Sequence, residues 1–176
     1  MIHITDEKIK RLTLTGLLTA LVAVSTMAIR IPVPATGGYI HPGDGVVLLS
    51  GFLLGPIYGA FAAGIGSALS DLLAGYFVYV PATFIIKGAT AFLAGLLYRL
   101  AVHKGWARHR QILLAVMGTF AEIWMVFGYF LFESFLYNPG AAAVAALPNA
   151  FQGIVGVGIA LALYPLLHPI VSPVKK

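Results

Sequence analysis

Cysteine is absent from this 176-residue chain and charge is scarce, with 10% of residues charged against 60% hydrophobic. The absence of cysteine excludes disulfide bonds and thiolate chemistry. The mean hydropathy is +0.94, and a soluble domain of this composition would expose far more apolar surface than soluble proteins tolerate. We therefore expect one integral membrane domain that covers residues 1–176.

The motifs of nucleotide hydrolysis and of common hydrolases are also missing. The sequence contains no Walker loop, no H-E-x-x-H and no G-x-S-x-G. His41 and His103 are predicted to lie on opposite sides of the membrane. They therefore cannot bind the same metal ion, and the sequence indicates no histidine metal site. The net charge of +5 does not indicate nucleic-acid binding, because the basic residues lie at the ends of apolar runs. We expect a non-catalytic protein with no cofactor and no metal.

Apolar runs predict six membrane helices. A hydrocarbon core of ~30 Å requires about 20 helical residues, so the second run cannot cross alone. The first run exceeds the core of a signal peptide, which favours a retained helix over a cleaved signal. The prediction is an all-α, six-helix transmembrane bundle with a short second helix and long outer loops at 31–44, 75–80 and 137–147, the first of them irregular. The predicted spans are about 12–30, 45–54, 57–74, 81–102, 111–136 and 148–170.

The number of spans depends on Gly55-Pro56, which indicates either a tight turn or a kink in one long helix. Basic residues cluster near the N-terminus, between the fourth and fifth runs, and at the C-terminus. With six spans all three clusters share one side, which the positive-inside rule assigns to the cytoplasm. With five spans the central cluster would face outward. We therefore predict six spans with both termini cytoplasmic.

Polar side chains lie inside several apolar runs, where they are costly and by default mark a substrate or ion path. Helix periodicity and depth place them in the outer half of the membrane, on four helices and the first outer loop. Such a mixture suits a small, polar, ring-bearing molecule better than a lipid or a bare ion. The predicted contacts are His41, Asp71, Lys87, Glu122, Glu133, Asn149 and Gln152, with Tyr39, Tyr76, Tyr79 and Trp124 as stacking candidates.

Most of these residues also have a structural interpretation. Asp71 is explained equally by an ion pair with Lys87, and Glu133 by a position at the water interface. Asp44 is explained by N-capping of the second helix. Tyrosine and tryptophan near span ends commonly anchor the membrane interface. Glu122 is too deep for an interfacial position, which favours a functional or pairing role.

Small residues recur along the first span, at Gly16, Ala20 and Ala23. Small side chains at a spacing of four let a second helix approach closely. The surface serves either packing within the bundle or contact with another protein.

Several spaced stretches resemble the substrate-binding S components of energy-coupling factor (ECF) vitamin transporters. They are GYIHPGD at 38–44, LGP at 54–56, GSALSDLLAGY at 66–76 and PATFIIKG at 81–88. The resemblance implies a six-helix membrane protein that holds a vitamin near the outer face with helices 4 to 6 and the loops between helices 1–2, 3–4 and 5–6. It also implies a transmembrane T component, two ATPase subunits and delivery by toppling of the S component. In the family an Ala-xxx-Ala motif on helix 1 meets the T component, and this chain departs from it with Gly16 and Ala20.

Within the family, hydroxymethylpyrimidine or pyridoxine is the favoured ligand, and riboflavin, pantothenate, folate and cobalamin-related ligands are alternatives. The resemblance also implies a multi-pass protein of a bacterial cell membrane.

A self-sufficient proton-coupled carrier using Glu122 and Asp71 would require inverted repeats, which are not visible. An intramembrane enzyme lacks a nucleophile-and-base pair. A purely structural subunit would leave Lys87 and Glu122 unexplained.

Overall fold

Helices dominate the computed structural model, which describes the backbone of residues 2–171 and the side chains of 8–106, 108–169 and 171. The predicted all-α bundle of six helices is confirmed within this range. A short 3₁₀ turn, Trp106–His109, joins the fourth and fifth helices. The helices are α1 (Ile2–Ala28), α2 (Asp44–Leu54), α3 (Pro56–Ala74), α4 (Val80–His103), α5 (Arg110–Leu136) and α6 (Pro139–Val171).

A two-stranded hairpin connects α1 to α2. Strands β1 (Ile31–Val33) and β2 (Gly38–Ile40) pair antiparallel, with Ile31 opposite Ile40. The expectation of an irregular loop is wrong here, because β-branched residues favour extended backbone. Pro32 is tolerated because each strand of a two-stranded hairpin is an edge strand, on which a missing N–H can face outward.

The turn between α2 and α3 is confirmed, and the alternative of one kinked helix is wrong. Gly55 has a φ of 85°, a conformation that is strained for residues with a Cβ. Pro56 begins α3, where its fixed φ suits the first helical position. The guanidinium of Arg99 donates a hydrogen bond to the Leu54 carbonyl at 3.1 Å, which satisfies a free acceptor at the end of α2.

The last helix begins earlier than the sequence indicates, so the predicted outer loop at 137–147 is wrong. The Asn138 side chain accepts a hydrogen bond from the Ala141 N–H at 2.9 Å, which is a helix N-cap. Pro139 follows as the first helical residue, and a run of alanines favours helix after it. Pro148, interpreted from the sequence as the helix start, lies inside α6.

Five of the described helices are long and apolar enough to cross a membrane, with α1 contributing Lys8–Ala28. The helix containing the first span begins at Ile2, before the predicted start at residue 12. As expected, α2 is too short to cross, at 11 residues, and ten of them are buried. It packs against α1, α3, α4 and α6. The short helix is therefore an internal element of the bundle.

Glycines allow α2 to approach α3 and α4 closely. Gly51 on α2 faces the backbone at Ala91, Gly59 on α3 faces the backbone of α2, and Gly95 on α4 faces the Gly51 carbonyl. A Cβ at any of these glycines would overlap backbone atoms. Small residues thus bring the three helices into backbone contact, as is typical of membrane bundles.

The bundle has two chemically different ends. The hairpin end contains the β-hairpin and the α3–α4 turn, whose residues meet around one cavity. The basic end contains the α2–α3 turn, where Arg11 and Arg99 lie near each other, and the connection from α4 to α5. The remaining basic residues of that end are Lys8, Lys10, Lys104, Arg108 and Arg110.

We predict that Gly51→Ala destabilises the protein by about 1–3 kcal/mol, because the added methyl group overpacks the contact between α2 and α4. The matched control is Gly158→Ala on α6, where no atom of the described residues lies within 4 Å of an added Cβ. The control should leave the melting temperature unchanged or raise it slightly, because alanine favours helix. Thermal unfolding in detergent, followed by intrinsic fluorescence, measures both. Equal melting temperatures for the two variants would contradict the packing assignment.

Candidate ligand-binding site

A cavity lies beneath the hairpin, with a volume of about 30 Å³. This is room for about two water molecules. Its walls come from the hairpin, the α3–α4 turn and five of the helices. The lining residues are Thr26, Val33, Thr36, Gly38, Tyr39, His41, Ser67, Asp71, Tyr76, Tyr79, Thr83, Tyr129, Glu133, Ala145, Asn149 and Gln152.

A buried ion pair lies beneath the cavity. The Lys87 ammonium on α4 is 2.5 Å from Asp44 Oδ1 on α2, and both side chains are fully buried. The Gln152 amide on α6 donates to the second oxygen, Asp44 Oδ2, at 2.7 Å. The expected N-capping by Asp44 is wrong, because α2 starts after Gly43 without a side-chain cap. The alternative pairing of Lys87 with Asp71 is replaced by the Asp44 pair.

The same glutamine ties the hairpin to this ion pair. Gln152 Oε1 accepts a hydrogen bond from the His41 backbone N–H at 2.7 Å. The imidazole of His41 accepts a hydrogen bond from the Gly43 N–H through Nδ1, at 3.1 Å. Burial, followed by the positive charge of Lys87, lowers the pKa of His41 to about 3. His41 is therefore neutral at physiological pH, as its acceptor role requires.

Tyr129 contributes to the floor between the ion pair and the cavity. The Lys87 ammonium lies 5.3 Å from the centre of the Tyr129 ring, within the range of a cation–π contact. The hydroxyls of Tyr129 and Thr83 are 3.0 Å apart. Lys87 thus has a carboxylate and an aromatic face as partners, which leaves it poorly placed for direct ligand contact.

Two tyrosines close the cavity from the hairpin side. Tyr39 on β2 donates to Asp71 Oδ1 on α3 at 2.7 Å, and its ring centre is 4.8 Å from that of Tyr76. Burial, and then the Asp71 charge, raises the pKa of Tyr39, so this hydroxyl remains a donor. The Tyr79 hydroxyl lies 3.1 Å from the Thr36 carbonyl and 3.3 Å from Glu133 Oε1. Burial also raises the pKa of Tyr79.

Three buried polar atoms on the cavity wall have no hydrogen-bond partner among the described residues. They are Thr26 Oγ1, Ser67 Oγ and Glu133 Oε2. Buried polar atoms are normally satisfied, so these three are available to a ligand. Sequence reasoning missed Thr26, although its spacing from Leu18 and Val22 places it on the buried face of α1.

Eight of the eleven predicted contacts line the cavity, and the other three do not. Lys87 lies below the cavity in the ion pair. Glu122 is 4% exposed and faces a separate apolar groove of about 510 Å³ between α5 and α6. Trp124 is 38% exposed on the outside of the bundle, so the structure does not bring it to the cavity. The eight are Tyr39, His41, Asp71, Tyr76, Tyr79, Glu133, Asn149 and Gln152.

Asp44 is not among the predicted contacts, although a carboxylate next to a predicted apolar helix is a visible signal. Its partners lie 43 and 108 residues away along the chain, so no local pattern could identify them. Among the described residues, no group of three or more His, Asp or Glu side chains is arranged to hold a metal ion. The site is organised for hydrogen bonding and stacking.

The sequence matches a known family across nearly the whole chain. The family model for the S component of ECF-type riboflavin transporters matches residues 6–169. The chain belongs to this family. The resemblance seen in the sequence motifs is thereby confirmed, and the protein is a membrane-embedded S component of the ECF transporter type.

Two relatives align with this S component over most of its length. A Pyrococcus woesei protein, described only as uncharacterised and encoded in the gap 3′ region, is 35% identical over 155 residues, which cover 88% of this chain and 99% of that protein. The thiamine precursor transporter HmpT of Lactococcus lactis subsp. cremoris (strain MG1363) is 31% identical over 164 residues, which cover 93% of this chain and 90% of HmpT.

We predict that Lys87→Met destabilises this S component by about 3–5 kcal/mol, because it leaves the Asp44 carboxylate buried without its counterion. The double variant Asp44→Asn/Lys87→Met removes both charges and should recover a large part of the stability that Lys87→Met loses. Lys104→Met, at an exposed lysine, is the control and should match the wild type. Thermal unfolding in detergent measures all three. A double variant no more stable than Lys87→Met would contradict the assignment.

Proposed function

We propose that this S component captures a small, neutral heteroaromatic alcohol, with hydroxymethylpyrimidine favoured, and delivers it to an ATP-driven importer. The observation that carries the proposal is the chemistry of the cavity wall. Two carboxylates, Asp71 and Glu133, line the cavity together with tyrosines, hydroxyls and amides. Within the described residues, neither lysine nor arginine lines it.

The two carboxylates of the cavity disfavour ligands that carry a negative charge. Pantothenate and folate carry carboxylates themselves, and like charges in a buried site repel strongly because the local dielectric is low. An aminopyrimidine offers N–H donors to carboxylate acceptors and a flat face to tyrosine rings. Hydroxymethylpyrimidine is the pyrimidine precursor of thiamine, and the relative HmpT bears the name thiamine precursor transporter.

The size of the cavity supports a small ligand. A volume of about 30 Å³ is far below the ~150 Å³ of a cavity that accommodates benzene, so any vitamin must displace part of the wall. The hairpin is closed by the hydrogen bonds of Tyr39 to Asp71 and of Tyr79 to the Thr36 carbonyl. A single-ring ligand that exchanges these bonds for its own requires less opening than a three-ring flavin.

Orientation follows from charge. The basic end carries Lys8, Lys10 and Lys104 and would face the cytoplasm under the positive-inside rule. The hairpin end and the cavity would then face outward, where the ligand arrives. Both termini would lie in the cytoplasm.

The outward face of α1 supports contact with a T component. Gly16 and Ala20 are exposed, and Leu18 and Val22 on the other side of the helix are buried. No atom of the described part of the chain lies within 4 Å of a Cβ added at Gly16. Small exposed residues on a membrane helix suit close helix–helix packing. Two ATPase subunits bound to the T component would supply the energy, and toppling of the S component would deliver the ligand.

We predict that the purified protein binds hydroxymethylpyrimidine in isothermal titration calorimetry and does not bind pantothenate. Asp71→Asn and Glu133→Gln should each weaken binding about tenfold or more, because hydrogen bonds to charged groups contribute about 1.5–3 kcal/mol. Trp124→Phe lies outside the cavity and is the control, with unchanged affinity. Preferential binding of pantothenate, or equal affinities for all variants, would contradict the proposed ligand site.

We further predict that Gly16→Leu prevents copurification with the T component, because the larger side chain blocks close helix approach. Binding of hydroxymethylpyrimidine should be unchanged, since Gly16 lies away from the cavity. Gly158→Leu is the matched control, at another exposed helical glycine with open space around it. Retention of the T component by Gly16→Leu, or its loss from the control alone, would refute the assignment of the α1 face.

A further inference from the structure

Two hydroxyls on one wall of the cavity lack a described hydrogen-bond partner. Thr26 on α1 and Ser67 on α3 are each 1% exposed, and both line the cavity. The two helices pack directly against each other, with Ser70 Oγ lying 3.2 Å from the Ala23 carbonyl oxygen. Thr26 and Ser67 therefore belong to a fixed wall formed by α1 and α3.

Other buried hydroxyls in the described helices behave differently. Ser50, Ser70 and Thr90 each donate to the carbonyl four residues earlier in their own helix, at 2.8–3.0 Å. This bond is the usual way to satisfy a hydroxyl inside a helix bundle. Thr26 and Ser67 make no such bond, so their hydroxyls are left for a group in the cavity.

The backbone at Gly43 fixes the position of one of these hydroxyls. A Cβ at Gly43 would overlap Thr26 Oγ1, so only glycine leaves room for the hydroxyl at this point. The same backbone leads directly into Asp44 of the buried ion pair. Thr26 Oγ1 therefore lies directly against the backbone that leads into the ion pair.

We infer that Thr26 and Ser67 form a subsite for the hydroxyl group of the ligand, which rests on the proposed function as a carrier of heteroaromatic alcohols. An alcohol both donates and accepts hydrogen bonds, and so do serine and threonine hydroxyls. Carboxylates only accept, so Asp71 and Glu133 suit the amino group of the ligand instead. The α1–α3 wall thus binds the hydroxyl group of the ligand, and Glu133 on α5 accepts a hydrogen bond from its amino group.

The test compares two probes in calorimetry, hydroxymethylpyrimidine and the analogue in which a methyl group replaces the hydroxymethyl group. Thr26→Val and Ser67→Ala should each weaken binding of the alcohol about tenfold, the effect of one lost hydrogen bond in a buried site. Binding of the methyl analogue should change less than about twofold. Thr26→Ser, which keeps the hydroxyl, should bind the alcohol with the affinity of the wild type.

The control is Thr90→Val, which removes a buried hydroxyl that bonds to the Ile86 carbonyl outside the cavity. This variant should not weaken the binding of either probe. The melting temperature of each variant confirms that it is folded. Equal losses for both probes in Thr26→Val, or no loss for either, would overturn the subsite and leave the proposed function intact. A wild-type protein that binds neither probe would overturn both.

Discussion

The ion pair between Lys87 and Asp44 is the interaction on which the arrangement of the site depends. Both charges are removed from water and lipid, and a buried charge without a partner would cost several kcal/mol. The pair is stabilised further because Asp44 lies at the N-terminus of α2, where the helix dipole favours a carboxylate. Gln152 completes the set with a hydrogen bond to the second Asp44 oxygen. Helices α2, α4 and α6 are thereby fixed relative to one another at one point.

This fixed point explains how a helix too short to cross the membrane positions a ligand site. Because α2 is buried on nearly all sides, its N-terminus lies inside the bundle, and the hairpin that precedes it lies directly above. The polar groups then form two layers. In the lower layer Lys87 and both Asp44 oxygens have partners, whereas in the upper layer Thr26, Ser67 and one oxygen of Glu133 have none among the described residues. Within these two layers, hydrogen-bond satisfaction separates the groups that hold the fold from those available to a ligand. Glu122, at the groove between α5 and α6, is a buried carboxylate for which the described residues provide no partner either.

Much of the fold followed from local patterns. Apolar runs predicted the six helices, because each run lies within one stretch of sequence. Gly55-Pro56 allowed either a turn or a kink, and the basic clusters, which share one side only with six spans, decided for the turn. The start of α6 was misplaced because Pro148 was interpreted as a helix start, while the cap at Asn138 and Pro139 was overlooked. Trp124 shows that residue type alone does not tell which face of a helix a side chain occupies. It is nine residues from Glu133 and therefore about 180° around the helix, which places it on the face opposite that cavity-lining residue.

The partners of the buried charges could not be predicted in the same way. Asp44 meets Lys87 and Gln152 only after three helices have packed, so the sequence indicated N-capping for Asp44 and offered Asp71 as the partner of Lys87. Glu122 was expected near the ligand, because depth alone did not distinguish the cavity from the groove between α5 and α6. Eight other predicted contacts did converge, because polar residues in a membrane bundle are driven to a common interior.

An experimental structure with hydroxymethylpyrimidine bound tests the central claim most directly. The account predicts the ring beneath the hairpin, between Tyr39 and Glu133, with the Lys87–Asp44 pair intact below it. A ring bound in the groove beside Glu122, or a ligand bonded to Lys87 with Asp44 displaced, would contradict it.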